Sequence, residues 1–244
     1  MKRFRMFAGP NGSGKSTLIN EIQNKCFIGS FINADIIERK FNTTNFIDCN
    51  EYLPITVTQA DWESFKPIIS AEDKRITSEI LDSIVLSDGI LTTDFDIDSY
   101  TASVVAEFLR HILLECEETF SFETVMSHES KVAFLNKAKE KGFKTYLYFI
   151  STKDPSININ RVNIRKIKGG HDVEDNKIVN RYYKSLELFS QAFLIADRAY
   201  IFDNSSDNQM QNVLIEKNGN DVEVYADEIP EWVKIYLLDK LNTE

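Results

Sequence analysis

One spacing of residues in this chain is suited to phosphate chemistry. In "FAGPNGSGKSTL" (7–18), Gly9, Gly14, Lys15 and Ser16 fit G-x-x-x-x-G-K-[ST] at every fixed position. Gly9, Gly12 and Gly14 permit backbone angles that other residues resist, so successive N–H groups can turn inward onto phosphate oxygens. A helix starting near Lys15 adds the positive end of its dipole. Lys15 is spaced to reach β- and γ-phosphates, and the Ser16 hydroxyl to ligate Mg²⁺. The run Gly9, Pro10, Asn11, Gly12, Ser13, Gly14, Lys15, Ser16 and Thr17 is therefore the candidate site for ATP or GTP. The terminal phosphate then goes to water, to a conformational step or to a second substrate, and other residues decide which.

Three carboxylates or cationic groups bear on that choice. Asp35 closes the expected second strand, "FIGSFINAD" (27–35). In a parallel sheet the carboxyl ends of neighbouring strands open onto one ligand crevice. Asp35 is thus a candidate general base for an attacking hydroxyl; the alternative is an N-cap for the helix that follows. Glu123, in "FETVMSH", ends a third strand on the same edge. It could hold a water of Mg²⁺ or orient a substrate, or it could be a capping or surface carboxylate. His128 reads as a residue at a helix start. The stretch "INRVNIRKIKGGHDV" (159–173) puts Arg161, Arg165 and Lys168 on one helical face. That face is either a cationic clamp for transition-state charge or a solvated surface. Gly169-Gly170 stops the helix, and His171 is either a ligand contact or part of the loop. Asp94, Asp96 and Asp98 lack the Gly and Glu of a calcium loop and read as caps and surface.

The elements that must position these residues follow from periodicity. "KRFRMFA" (2–8) is a strand, "KSTLINEIQNK" (15–25) a helix with Leu18, Ile19 and Ile22 inward, and 27–35 the next strand. This is a βαβ unit with a parallel pair. Residues 36–118 read as a mostly helical insertion, a lid or substrate lobe. Within it a helix is expected over 71–89, ended by Gly89, and another over 98–118 capped by Asp98 or Ser99. Alternation then resumes: strand 120–126, helix 130–142, strand 143–151, a basic lid helix at about 156–170, helix 176–196 and strand 198–205. A hairpin at 213–225 turns on Asn218-Gly219, and a helix over 231–241 closes the chain. The expectation is one domain over 1–244: a P-loop NTPase α/β/α fold with a mostly parallel sheet of about five strands, a helical insertion and a C-terminal β-hairpin.

The bulk numbers narrow the partners. The formal net charge is −10, which argues against non-specific nucleic-acid binding. No apolar run approaches the ~18 residues that span a bilayer, and the N-terminus has no secretory pattern, so a cytoplasmic protein off the membrane is expected. Cys26, Cys49 and Cys116 have no CxxC spacing and read as buried, reduced thiols. There is no "LSGGQ" and no second apolar strand ending in Asp-Glu, which disfavours transporter ATPases and nucleotide-operated switches against a small kinase. A P-loop ATPase or switch, or a nucleotide-binding module without catalysis, stays as the alternative.

The chain resembles the zeta toxin family of P-loop small-molecule kinases. The resemblance rests on "GPNGSGKST", "NAD", "FETV" and "RVNIRKIKGGHDV…NRYYKSLEL…DNS", and covers roughly residues 3 to 205. It implies ATP- or GTP-dependent phosphorylation of a hydroxyl on a small acceptor, a UDP-sugar such as UDP-N-acetylglucosamine. It implies Lys15 and Ser16 at nucleotide and Mg²⁺, Asp35 as base, and Arg161 and Arg165 on the phosphates. Glu123, Thr124 and His171 would contact the acceptor. A toxin of this kind also implies an inhibitory antitoxin protein.

Overall fold

The computed structural model describes residues 1–72, 76–94, 97–167, 169, 173–206 and 213–242. In chain order the elements begin with β1 (Arg3–Ala8), α1 (Lys15–Gln23), β2 (Ser30–Ile32), α2 (Ala34–Thr44) and β3 (Ile47–Asp48). Next come α3 (Gln59–Glu72), α4 (Ser78–Asp82), β4 (Ile84–Ser87), β5 (Ile90–Thr93) and α5 (Ser99–Glu115). Then follow β6 (Phe120–Thr124), α6 (Glu129–Glu140), β7 (Lys144–Ser151), α7 (Pro155–Ile167), α8 (Asp175–Glu187) and α9 (Phe189–Ile195). The chain ends with β8 (Arg198–Asp203), β9 (Val213–Asn218), β10 (Asp221–Val224) and helical turns between Glu231 and Leu241. The contacts divide it into two compact units, residues 1–28 with 121–244, and residues 29–120.

In the first unit the sheet runs β10-β9-β8-β7-β1-β6. β1 pairs parallel with β7, and β7 with β8; β9 and β10 add an antiparallel edge. Five of the six residues of β1 are buried, as a strand covered on both faces requires. One face carries Phe4, Met6, Leu147 and Phe149, all at 0% exposure. Phe134 of α6 packs edge-on to Phe4, and Phe189 of α9 stacks on Phe149 at 4.2 Å. The other face carries a row of stacked rings, Phe7 on Tyr148 and Tyr148 on Tyr200. This is the α/β fold with a mostly parallel sheet, flanking helices and C-terminal hairpin that the motif order implies. Two details differ. The helix expected over 176–196 breaks at Leu188, and the last hairpin turns on Gly219-Asn220 instead of Asn218-Gly219, because Asn218 pairs with Asp221. Gly219, with φ 63°, thus takes the first central position, the glycine-first pattern of a type II′ turn.

The second unit is mostly helical, as expected of residues 36–118, but it also holds strands that the periodicity did not indicate. These strands form a sheet of order β3-β5-β4. The helix read over 71–89 is instead the end of α3, the short α4, and the first strand of a hairpin. Ile84 and Leu86 are buried while Val85 and Ser87 are exposed, a period of two. Ser87 pairs with Ile90, so Asp88-Gly89 are the central turn residues. Their φ values of 50° and 80° are those of a type I′ turn, for which Asp-Gly is a preferred pair. Gly89 therefore closes a hairpin and not a helix. Asn33, not Asp35, caps α2: its Oδ1 accepts from the N–H of Asp35 at 2.8 Å and of Ile36 at 3.2 Å. Asp98 caps α5, accepting from Thr101, whereas Asp96 lies outside the described residues. Trp62, Phe65 and Phe108 make the aromatic centre of this unit. Of the cysteines only Cys49 is buried; Cys26 is exposed. Among the described residues, no helix is long and apolar enough to cross a membrane.

The Gly89 turn is sensitive to any side chain. A Cβ there would lie 2.5 Å from Asn50 Nδ2, and Asn50 is itself bonded to Asp48. Gly89→Ala is expected to destabilise the protein by about 2 kcal/mol. A urea midpoint unchanged from wild type would contradict this account of the turn.

Candidate active site

The phosphate-loop motif forms the geometry its spacing implies. Gly9, Gly12 and Gly14 have φ of 141°, 71° and 102°. The N–H of Ser13 donates to Pro10 O, and that of Leu18 to Gly14 O as α1 begins. Gly9 is fixed by contact: a Cβ on it would lie 2.0 Å from the carbonyl oxygen of Ile150 at the end of β7. Gly14 stands at the N-cap of α1, where no side chain caps the helix and no acid lies in the first turn. The leading N–H groups of α1 thus have no side-chain cap to compete with an anion.

The two polar residues of the motif converge on one carboxylate. Lys15 is buried, at 6% exposure, and its Nζ donates to the carbonyls of Gly9 and Pro10, each at 2.9 Å. The same Nζ lies 3.8 Å from Glu123 Oε1. The Ser16 hydroxyl donates to Glu123 Oε2 at 3.3 Å. β6 lies next to β1 in the sheet, which brings Glu123 at its end to the start of α1. A hydroxyl and a carboxylate facing each other beside phosphate-directed N–H groups form an all-oxygen donor set. It suits Mg²⁺, which takes few protein ligands and keeps waters. The residues present therefore fit a triphosphate with its metal.

The other sequence candidates separate. Thr124 follows Glu123, and its Oγ1 accepts from the N–H of Met126 at 3.0 Å, closing a turn in which Met126 has φ 54°. His128 caps α6 through Nδ1. Arg161 is half-buried, and its Nη1 donates to the carbonyl of Asn204 at 2.8 Å. Arg165, one turn on, is exposed. Lys168 and His171 lie outside the described residues. Asp35 belongs to the second unit, in the first turn of α2, with an exposed side chain.

Two residues that the sequence reading did not single out as candidates bond to the loop. Asn158 of α7 is completely buried; its Nδ2 donates to Asn11 O at 2.5 Å, and its Oδ1 accepts from Thr152. Asn204, just past β8, donates from Nδ2 to Ser13 O at 2.8 Å. The signal for Asn158 was weak: an asparagine amid the apolar positions of "SININRV". Asn204 lies in "DNS", a stretch that carries the family resemblance but no local chemical pattern.

The fold and the loop define a P-loop α/β protein. No family model matches the chain, and no curated protein matches it by sequence. Among solved structures it overlaps a chain of the native AvrRxo1-ORF1:-ORF2 complex with a TM-score of 0.55 and 11% identity, over 97% of this chain and 62% of that one. The complex crystallised with ATP overlaps at 0.54, again with 11% identity and the same two shares. A chain of the PezAT chromosomal toxin-antitoxin system of Streptococcus pneumoniae overlaps at 0.49 and 16% identity, over all of this chain and 87% of that one, too loose to argue from. The chain spans about three fifths of the AvrRxo1 chains, and at such identity the likeness carries the fold alone.

Lys15 supplies the buried positive charge of the loop, and a charge-assisted contact is worth more than a neutral one. Lys15→Ala is expected to weaken ATP binding about 100-fold or more. Titration with a fluorescent ATP analogue measures it; an unchanged affinity would remove the loop as a nucleotide site.

Proposed function

We propose that the chain is a Mg²⁺-dependent phosphotransferase that moves the γ-phosphoryl group of ATP or GTP to a hydroxyl of a small acceptor. The observation that carries this reading is Glu123 set between Lys15 and Ser16, at 3.8 Å and 3.3 Å. A lysine alone would bind phosphates. Lysine, hydroxyl and carboxylate together suit a metal-bound triphosphate poised for transfer. A protein of the same fold crystallised with ATP supports the nucleotide.

In this mechanism the N–H groups of Gly9 to Thr17 hold the phosphates, and Lys15 bonds the β- and γ-oxygens. Ser16 and, through a water, Glu123 would hold Mg²⁺, whose charge offsets that building on the phosphoryl oxygens. Asp35 accepts the proton of the acceptor hydroxyl as its oxygen bonds to the γ-phosphorus and the bond to the diphosphate breaks. Arg161 and Arg165 neutralise charge on the phosphates; Thr124 and His171 contact the acceptor. The acceptor class follows from the zeta toxin resemblance, a UDP-sugar phosphorylated on a sugar hydroxyl, with residues 36–118 as the acceptor lobe. The resemblance also brings a protein antitoxin, and the two-component AvrRxo1 complex is in keeping with such a partner.

Two measurements test the roles. Glu123→Gln keeps its size and loses its charge, so the Mg²⁺ concentration for half-maximal activity is expected to rise about 10-fold or more. A variant with the wild-type Mg²⁺ dependence would take Glu123 away from the metal. Asp35→Asn is expected to retain ATP affinity while transfer drops by about 10² or more, the scale of a lost general base. The assay is incubation with γ-labelled ATP and a panel of UDP-sugars, scored for the mass gain of one phosphoryl group. Label released only as free phosphate across the panel would favour an ATPase or switch.

A further inference from the structure

The tripeptide Asp203-Asn204-Ser205 leaves the end of β8 with every side chain bonded. Asp203 Oδ1 accepts from Trp232 Nε1 and from Ser205 Oγ, each at 2.8 Å. Ser205 Oγ in turn accepts from the N–H of Lys153 at 2.8 Å. Asn204 sits between them and is bonded three ways. Its N–H donates to Ser151 O at 2.8 Å, its carbonyl accepts from Arg161, and its carboxamide donates to Ser13 O.

The last bond bears on the phosphate loop. The carbonyl of Ser13 and the N–H of Gly14 belong to one planar peptide unit, so they point in opposite directions. Holding the Ser13 oxygen outward holds the Gly14 N–H inward. Nothing intrinsic fixes that plane, because Gly14 tolerates φ of either sign. A flip would withdraw one donor from the phosphates and turn an oxygen towards them. Asn158 acts on the Asn11–Gly12 peptide in the same way, through Asn11 O.

We infer that Asn204 is a positioning residue for the phosphate loop: it pins the Ser13–Gly14 peptide with its N–H towards the phosphates, and Asp203 with Trp232 holds Asn204 in place. The inference rests on the nucleotide reading of the loop but not on the identity of the acceptor. Because Asn204 acts through Gly14, its loss weakens the hold on phosphates and leaves any contact to the base untouched.

The test titrates the full chain with ATP and separately with inorganic tripolyphosphate, by displacement of a fluorescent ATP analogue, with thermal unfolding in parallel. Asn204→Ala is expected to weaken both ligands by the same factor, about 10-fold for one lost hydrogen bond that set a donor. Asn204→Asp, which puts an acceptor and a charge against Ser13 O, is expected to weaken both about 100-fold. Trp232→Phe, which takes away the indole N–H together with part of the ring packed on Phe149 and Phe189, is expected to give a smaller loss shared by both. If ATP weakens and tripolyphosphate does not, Asn204 serves the base and the inference is wrong. It is equally wrong if a folded Asn204→Ala binds both as wild type does. If Asn204→Ala does not fold, the same pair of titrations is read on Asn204→Ser. Wild-type protein that binds neither ligand refutes the nucleotide reading itself, a result distinct from the other two.

Discussion

The site depends on one constraint: the peptides that follow β1 must turn their N–H groups to one side and pair their carbonyls on the other. Each carbonyl turned away from the phosphates needs a donor, since a buried unpaired acceptor costs about 1–3 kcal/mol. The structure supplies donors from three separate segments. Pro10 O takes the N–H of Ser13 and the Lys15 ammonium, Asn11 O takes Asn158, and Ser13 O takes Asn204. The loop is therefore not a property of its own nine residues. It is a backbone shape held from outside by α7 and by the end of β8.

The parallel sheet makes this possible. β1 pairs with β7 so that Ala8 lies beside Phe149, which sets Gly9 against the end of β7. The turns leaving β7 and β8 then reach the loop from one flank, while β6 brings Glu123 to the other. Stacked rings and buried aliphatic side chains on both faces of the sheet fix the strand ends to which these groups are attached. A carboxylate beside a buried lysine is then stabilised by its neighbour, which helps offset the loss of hydration at Glu123. Packing and charge placement are coupled: the core sets the strand register, and the register sets which polar atoms meet.

The phosphate loop was legible because its demands are local. Glycines, a lysine and a hydroxyl at fixed spacing mark what the loop can bind, even though remote groups hold its shape, and "FAGPNGSGKSTL" sits between a strand and a helix as expected. Glu123 was visible as a strand-end carboxylate, but its choice of partner was not, because strand order is a long-range property. Asn158 and Asn204 were hidden for the same reason: an asparagine has no role until its carboxamide meets a particular carbonyl. The hairpin of residues 84–93 carries two competing signals in the sequence. Ile76, Ile80 and Ile84 fit a helical stripe, while Asp88-Gly89 is a preferred type I′ pair, and the turn chemistry outweighed the periodicity.

What the sequence by itself determined is the chemistry attached to short-range geometry: a loop that can point amides at phosphates, a cation and a hydroxyl at its end, and the alternation that makes an α/β sheet. What only the tertiary structure decided is which remote groups complete that loop. Glu123 is 107 residues from Ser16, Asn158 is 147 from Asn11 and Asn204 is 191 from Ser13. Contacts at such separations follow from the packing of strands and helices into one core, and no local pattern of residues encodes them.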